Sequence, residues 1–205
     1  MDLVVLNVAY PFARVAPDVS GTEKVLAQLD TALLHTGHES IVMACEGSVT
    51  EGILLATPKP SGAIDESERR RIHEQYRFTL QSFLKKWPID LIHMHGADFF
   101  EYLPPPGVPV LVTLHSPIEQ YPETIFHLDR PQTFLHCVSA HQRAACPPSP
   151  NLLDEMETGF GCQPDGDGLI QRYFAIYEQL VTQARASETA PSFSEENWKT
   201  ETVHA

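Results

Sequence analysis

Basic side chains are scarce in this chain: 14 Lys and Arg stand against 27 Asp and Glu in 205 residues, a formal charge of -13. Nucleic-acid binding relies on a cationic surface that displaces counterions from phosphate, so this balance argues against it. Polybasic membrane anchoring is excluded on the same ground, the densest basic run being Arg69–Arg71. Long apolar runs are missing too, and none approaches the ~20 residues of a membrane span. The first apolar run, Leu3 to Val8, has no Lys or Arg before it and is interrupted by Asn7. That pattern does not suit a secretory signal. A soluble, cytoplasmic protein without a membrane span is expected.

Cysteine is equally sparse. Cys45, Cys137, Cys146 and Cys162 form no C-x-x-C pair, which excludes a disulfide framework and a zinc knuckle. All four are expected to be reduced and structural. There are no internal repeats, and the G-x-G-x-x-G fingerprint of dinucleotide binding is absent.

What is present is an alternation of apolar runs and helical patterns. Leu3–Val8, Ile41–Cys45, Ile53–Ala56, Leu91–His95, Val108–Leu114 and Phe134–Val138 read as strands, with Ile53–Ala56 at a sheet edge. Ser20-Gly-Thr-Glu23 has the spacing of a capping box and opens a helix that Gly37 closes. Asp65 to Lys86 is the longest helix, acidic at its start, basic at its end, with Ile72, Tyr76, Leu80 and Phe83 on one face. A short helix follows Ser139. The order implies a single doubly wound, Rossmann-like parallel sheet with helices on both faces and ligands at the strand C-terminal ends.

After Pro147 the character changes. The strand-like Asn151-Leu-Leu153 ends the domain at residues 1–153, and residues 154–168 form a Gly- and Asp-rich linker. A last helix over 169–186 carries Leu169, Ile170, Tyr173, Phe174, Tyr177, Leu180 and Val181, an apolar face wide enough to require docking. Residues 187–205 read as a disordered tail. Residues 151–205 hold ten acidic and three basic side chains.

Four places carry chemistry. The Ser20–Gly21–Thr22 loop precedes a helix whose N-terminal amides favour anions, although a simple turn and cap would need the same residues. In His93-Met94-His95-Gly96 the two imidazoles share a strand face. His93 reads as a satisfied core histidine, and His95, at the strand end beside Gly96, as a functional imidazole. Thr113-Leu-His115-Ser116 and Val138-Ser139 end neighbouring strands, where hydroxyls could hold a ligand or cap a helix. A three-histidine metal site of His93, His95 and His115 lacks a clear carboxylate or Cys partner, Asp98 being a weak candidate.

These residues in this order (Ser20-Gly-Thr-Glu23, Gly37-His-Glu39, Asp90-Leu-Ile-His-Met-His-Gly96, Val110-Leu-Val-Thr-Leu-His-Ser116, Val138-Ser139) resemble the N-terminal half of GT-B glycosyltransferases of family 4, over residues 1–153. The last helix, with Arg172-Tyr-Phe-Ala-Ile-Tyr-Glu178, resembles the helix that in this family crosses back onto the N-terminal domain. The resemblance implies that His95 contacts the donor sugar near the reacting carbon and that Ser20, Gly21 and Thr22 lie by the donor diphosphate. It also implies that Gly96, His115, Ser116 and Ser139 line the acceptor side. The sequence departs from the family in two ways. Ser20 stands where the family usually has the first of two glycines. About fifteen residues also replace the second Rossmann domain, which carries a basic pair and a Glu-x7-Glu element for the donor.

The leading expectation is therefore a glycosyltransferase-like, acceptor-side domain. It would transfer a sugar from a nucleotide sugar to an acceptor hydroxyl when a donor-binding partner completes it. A leaving diphosphate needs positive charge, and only Arg14 and Lys24 stand near this loop, so activity of the chain alone is doubtful. The alternative is a non-catalytic binding or interaction remnant of such an enzyme. A third reading is a histidine-metal hydrolase on a flavodoxin-like sheet, which would make the family pattern coincidence. No cofactor or metal is expected, the nucleotide sugar being a substrate. Phe99, Phe100, Tyr102 and Tyr121 are expected as an open apolar patch that favours self-association or a separate donor-binding chain.

Overall fold

The computed structural model describes residues 2–60, 62, 64–153 and 166–189. Its strands are β1 (Val4–Val8), β2 (Glu39–Cys45), β3 (Ile53–Thr57), β4 (Leu91–Met94), β5 (Val110–Leu114) and β6 (Thr133–Cys137). The helices are α1 (Thr22–His35), α2 (Glu66–Leu84), α3 (Ala140–Ala145) and α4 (Gly166–Thr189). The strands form one sheet in the order β3-β2-β1-β4-β5-β6, every neighbouring pair parallel. The near-continuous apolar runs are those of strands covered on both faces. The chain winds outward from β1 to β3, then returns to lay β4 against the other side of β1. Connections leave β1 and β4 in opposite directions, which opens a crevice at their C-terminal ends.

Strand alternation sorts the core into two layers. Leu6, Val8, Ile92, Met94, Val110 and Val112 face Tyr76 and Leu80 of α2 together with Phe99, Tyr102 and Phe126. Leu3, Val5, Leu91 and Leu111 face Leu29 and Leu33 of α1 and Tyr173, Ile176, Tyr177, Leu180 and Val181 of α4. The wide apolar face of the last helix is thus buried against the sheet. An ion pair of Arg185 Nη2 with Asp90 Oδ1 at 2.6 Å joins the far end of α4 to the entry of β4.

Helix ends show which local signals operated. α1 closes in a Schellman arrangement: Gly37, at φ +86°, donates to the Leu34 carbonyl, and His38 N–H donates to Leu33. Asp65 caps α2 by accepting from the Glu68 N–H at 2.8 Å. Lys85 and Lys86 fall just past the last helical residue.

The expected capping box does not form. The N-cap of α1 is Gly21, at φ 75° and ψ -145°, with no side-chain cap bond, and Ser20 is exposed. That backbone conformation suits glycine alone, and it starts the helix one residue later than Ser20 would. The expected aromatic patch is also overturned. Phe99, Tyr102 and Tyr121 are buried and Phe100 is half-buried. Short 3₁₀ turns at Phe99–Glu101, Ile118–Gln120 and Glu123–His127 fold the connections after β4 and β5 back over the sheet. α4 runs from Gly166 to Thr189, past both ends of the helix expected over 169–186 and into the expected linker and tail. The remainder of the expected 154–168 linker and 187–205 tail lies outside the described residues. No helix among the described residues is long and apolar enough to cross a membrane.

Candidate active site

Two imidazoles meet at the crevice. His95 directly follows β4, its N–H donating to the Val8 carbonyl at 3.0 Å, so the β1–β4 ladder continues through it. Its Nδ1 lies 3.2 Å from Nε2 of His115, which follows β5. Its Nε2 lies 3.5 Å from Asn7 Oδ1 in β1. Neutral tautomers satisfy both contacts: His95 donates from Nε2 to Asn7, and His115 donates from Nε2 to His95 Nδ1. The Nδ2 of Asn7, in a side chain with no exposed surface, has no partner.

His93 sits one strand step behind. It contacts the Tyr177 hydroxyl through Nδ1 at 2.6 Å and Thr113 Oγ1 through Nε2 at 2.7 Å. Both ring nitrogens are thus committed, as expected of a core histidine, and neither is left for a metal ion. Among the described residues no group of three or more His, Cys, Asp or Glu side chains is placed to hold one. That overturns the three-histidine hydrolase reading.

Burial dominates the electrostatics. It holds His93 and His95 well below the usual imidazole range, with neighbouring imidazoles adding to the effect. It lowers His115 to about 4, and His136 of β6 to about 3. All four rings are neutral near pH 7, able to offer both a donor and an acceptor.

In front of His95 and His115 lies a cavity of about 270 Å³. Thr22 and Glu23 of α1 form one wall, Tyr10 and Ala97 extend it, and Ser116 and Gln120 complete the β5 side. Glu23 brings a carboxylate, and no Lys or Arg is among these lining residues. The expected Ser20 and Gly21 are exposed and stand outside this lining, so only Thr22 of that loop reaches the cavity.

Gly96 and Ser139 serve the scaffold. A Cβ on Gly96 would collide with the Tyr102 hydroxyl, which itself donates to Asp98 Oδ1 at 3.0 Å. The other oxygen of Asp98 is 2.6 Å from Nε2 of buried His73. Ser139 is the N-cap of α3, accepting from the Gln142 N–H at 3.1 Å. Gln142 then clamps the His115–Ser116 loop: its Nε2 donates to the carbonyls of Leu114 and Ser116, and its Oε1 accepts from the Val138 N–H. Tyr10, Gln120 and Asn7 escape the motif-based reading, and Glu23 enters it only as a capping residue. Asn7 had a signal, as the one polar residue in the first apolar run.

A six-stranded parallel sheet whose strand order reverses at β1 and β4 defines a Rossmann-like α/β domain. The sequence pattern of Glycosyltransferase Family 4 matches residues 19–166, and the chain belongs to that family. No curated relative matches it. A sucrose-phosphate synthase structure from Thermosynechococcus elongatus is similar at 12% identity over 86% of this chain and 98% of that one, with a TM-score of 0.55. A longer chain of the same synthase gives 12% identity over 92% and 53%, with a TM-score of 0.51. A glycosyltransferase from Rickettsia africae ESF-5 gives 11% identity over 85% and 50%, with a TM-score of 0.50. At these identities the likeness is one of fold. The chain spans about half the length of the two longer structures.

Proposed function

We propose that this chain supplies the acceptor side of a glycosyltransferase. In this reading a second domain or chain holds a nucleotide-sugar donor, and the cavity at His95 and His115 presents an acceptor hydroxyl to the anomeric carbon. The single observation that carries the reading is the pair of neutral imidazoles, 3.2 Å apart, opening onto a cavity lined otherwise by Tyr10, Thr22, Glu23, Ser116 and Gln120. Hydroxyl, amide, imidazole and carboxylate groups match the donor and acceptor pattern of a sugar. A carboxylate without a cationic neighbour in the lining does not suit a diphosphate, whose departure needs positive charge.

That last observation also favours a second reading, a non-catalytic module that binds a saccharide without transfer. Isothermal titration of wild type and His95→Ala with neutral saccharides, then with UDP-, GDP- and ADP-sugars, separates the two. Saccharide binding that weakens in the variant supports the acceptor-side assignment. Turnover on adding a donor-binding partner selects the transferase, and its absence selects the module. Unchanged binding in His95→Ala overturns both.

A further inference from the structure

Cys137 and Cys146 are nine residues apart in sequence, one ending β6 and the other capping the C-terminus of α3. The tight β6–α3 turn brings their sulfurs to 3.6 Å. Cys137 is buried at 3% exposure and Cys146 is half-buried. Between them lies Gln142, whose amide ties α3 to the carbonyls of Leu114 and Ser116, beside the cavity. The Cys146 thiol also reaches the Gln142 carbonyl at 3.3 Å. A disulfide needs its sulfurs at roughly 2.05 Å, so this pair, already in van der Waals contact, must draw closer to close the bond.

We propose that Cys137 and Cys146 form an oxidisable dithiol that a hydroperoxide converts to a disulfide bracketing α3 and the Gln142 clamp. The more accessible Cys146 thiolate attacks a peroxide oxygen and the O–O bond breaks. This leaves Cys146 as a sulfenic acid and releases the alcohol, or water when the oxidant is hydrogen peroxide. The Cys137 sulfur then attacks Cys146 Sγ, the S–O bond breaks, and the hydroxide leaves as water with the Cys137 proton. The two thiols lose two electrons and two protons, and the peroxide is reduced by two electrons. The bond fixes the end of α3 to the end of β6, so it holds the Gln142 clamp and, through it, the His115–Ser116 loop. The modification does not depend on what occupies the cavity.

The test is peptide mapping of the full chain after titration with hydrogen peroxide, using trypsin with a Glu-specific protease. Cleavage at Arg143 parts the two cysteines, and cleavage at Glu155 and Glu157 parts Cys146 from Cys162. The expected result is one dominant linked pair, Cys137 to Cys146, lighter by two hydrogens and reversed by dithiothreitol. Phenylarsine oxide, which bridges adjacent thiols, protects both cysteines from alkylation in wild type and leaves Cys137, alkylated after unfolding, unprotected in Cys146→Ser. Because Cys137 is buried, Cys146→Ser is the primary variant, and its thermal midpoint under reducing conditions should match wild type. Oxidation of Cys146 to sulfinic acid with Cys137 still free, or a dominant link to Cys45 or Cys162, overturns the proposal.

Discussion

His93 bonds through one ring nitrogen to the Tyr177 hydroxyl of α4 and through the other to Thr113 of β5, at 2.6 and 2.7 Å. A side chain in the middle strand of the sheet is thereby tied to a helix 84 residues further along. This pairing does two things at once. It satisfies a polar group that would otherwise be stranded in the core, and it sets the face that α4 turns to the sheet. The His95 ring leans against the His93 ring, tilted by 42° with centroids 3.9 Å apart, so the seating of α4 also supports the cavity wall.

Removing that tie has a definite cost. Tyr177→Phe keeps the ring and leaves His93 Nδ1 buried without a partner, a penalty of about 1–3 kcal/mol. Equilibrium urea unfolding of the variant should show a lower midpoint with an unchanged slope. Tyr177→Phe combined with His93→Phe should recover part of the loss, because the stranded nitrogen is gone. If the single variant is as stable as wild type, the helix is not held by this bond.

The row of buried imidazoles makes stability depend on pH in a stated direction. In the folded chain burial lowers His93 and His95, and brings His115 to about 4 and His136 to about 3. In the unfolded chain all four titrate near 6.5. Between these values the unfolded state binds more protons, so stability is fully present above about pH 6.5 and is lost as pH falls toward the folded values. His115 alone can contribute up to about 3 kcal/mol across that window. Unfolding free energies taken near pH 7.5 and about pH 5 should differ accordingly, and His136→Phe should flatten the dependence. A profile that is flat down to about pH 5 would contradict the buried, neutral assignment.

A neighbour leaves Gly96 no room for a side chain. Its Cα faces the Tyr102 hydroxyl, which donates to Asp98. Gly96→Ala should destabilise by about 1–3 kcal/mol, the range for forced overpacking. Adding Tyr102→Phe removes the oxygen in conflict, so the double variant should lose less than the sum of the two singles. That non-additivity, measured by denaturant unfolding, is the signature of direct contact. Additive losses would mean that the strain lies elsewhere.

The strands were legible in the sequence because each is an apolar run, buried on both faces everywhere but in the edge strand β3, a pattern that needs no tertiary information. The imidazoles at 95 and 115 were legible for a related reason: in a parallel sheet the strand ends carry ligands, and both residues follow a strand directly. Ser20 was misread because a Ser-x-x-Glu spacing looks the same whether or not the intervening glycine adopts a positive φ. Phe99, Tyr102 and Tyr121 were misread as exposed because their burial depends on 3₁₀ turns that hydrophobic periodicity does not mark. Tyr10 and Gln120 were invisible for want of any pattern. They reach the cavity only through the path of loops that leave β1 and β5 in space.

On the proposed acceptor-side reading, Glu23 is the lining residue that should select among ligands. It lies in the first turn of α1, where its negative charge complements the helix dipole, and it is the charged side chain in the cavity lining. With His95 and His115 neutral, the wall offers hydrogen bonds to hydroxyls and repels phosphate. Wild type should bind neutral saccharides better than the corresponding sugar phosphates. Glu23→Gln keeps the size and hydrogen-bonding ability but removes the charge. It should raise the affinity for the sugar phosphate by roughly tenfold, about 1.4 kcal/mol, and shift the neutral sugar far less. Raising the salt concentration should narrow the phosphate gap in wild type, since screening weakens partly exposed charges. Calorimetric titration of both variants with one sugar and its phosphate reads the two effects together. An unchanged preference in Glu23→Gln would place the ligand away from α1, and the carboxylate would then serve only the helix terminus.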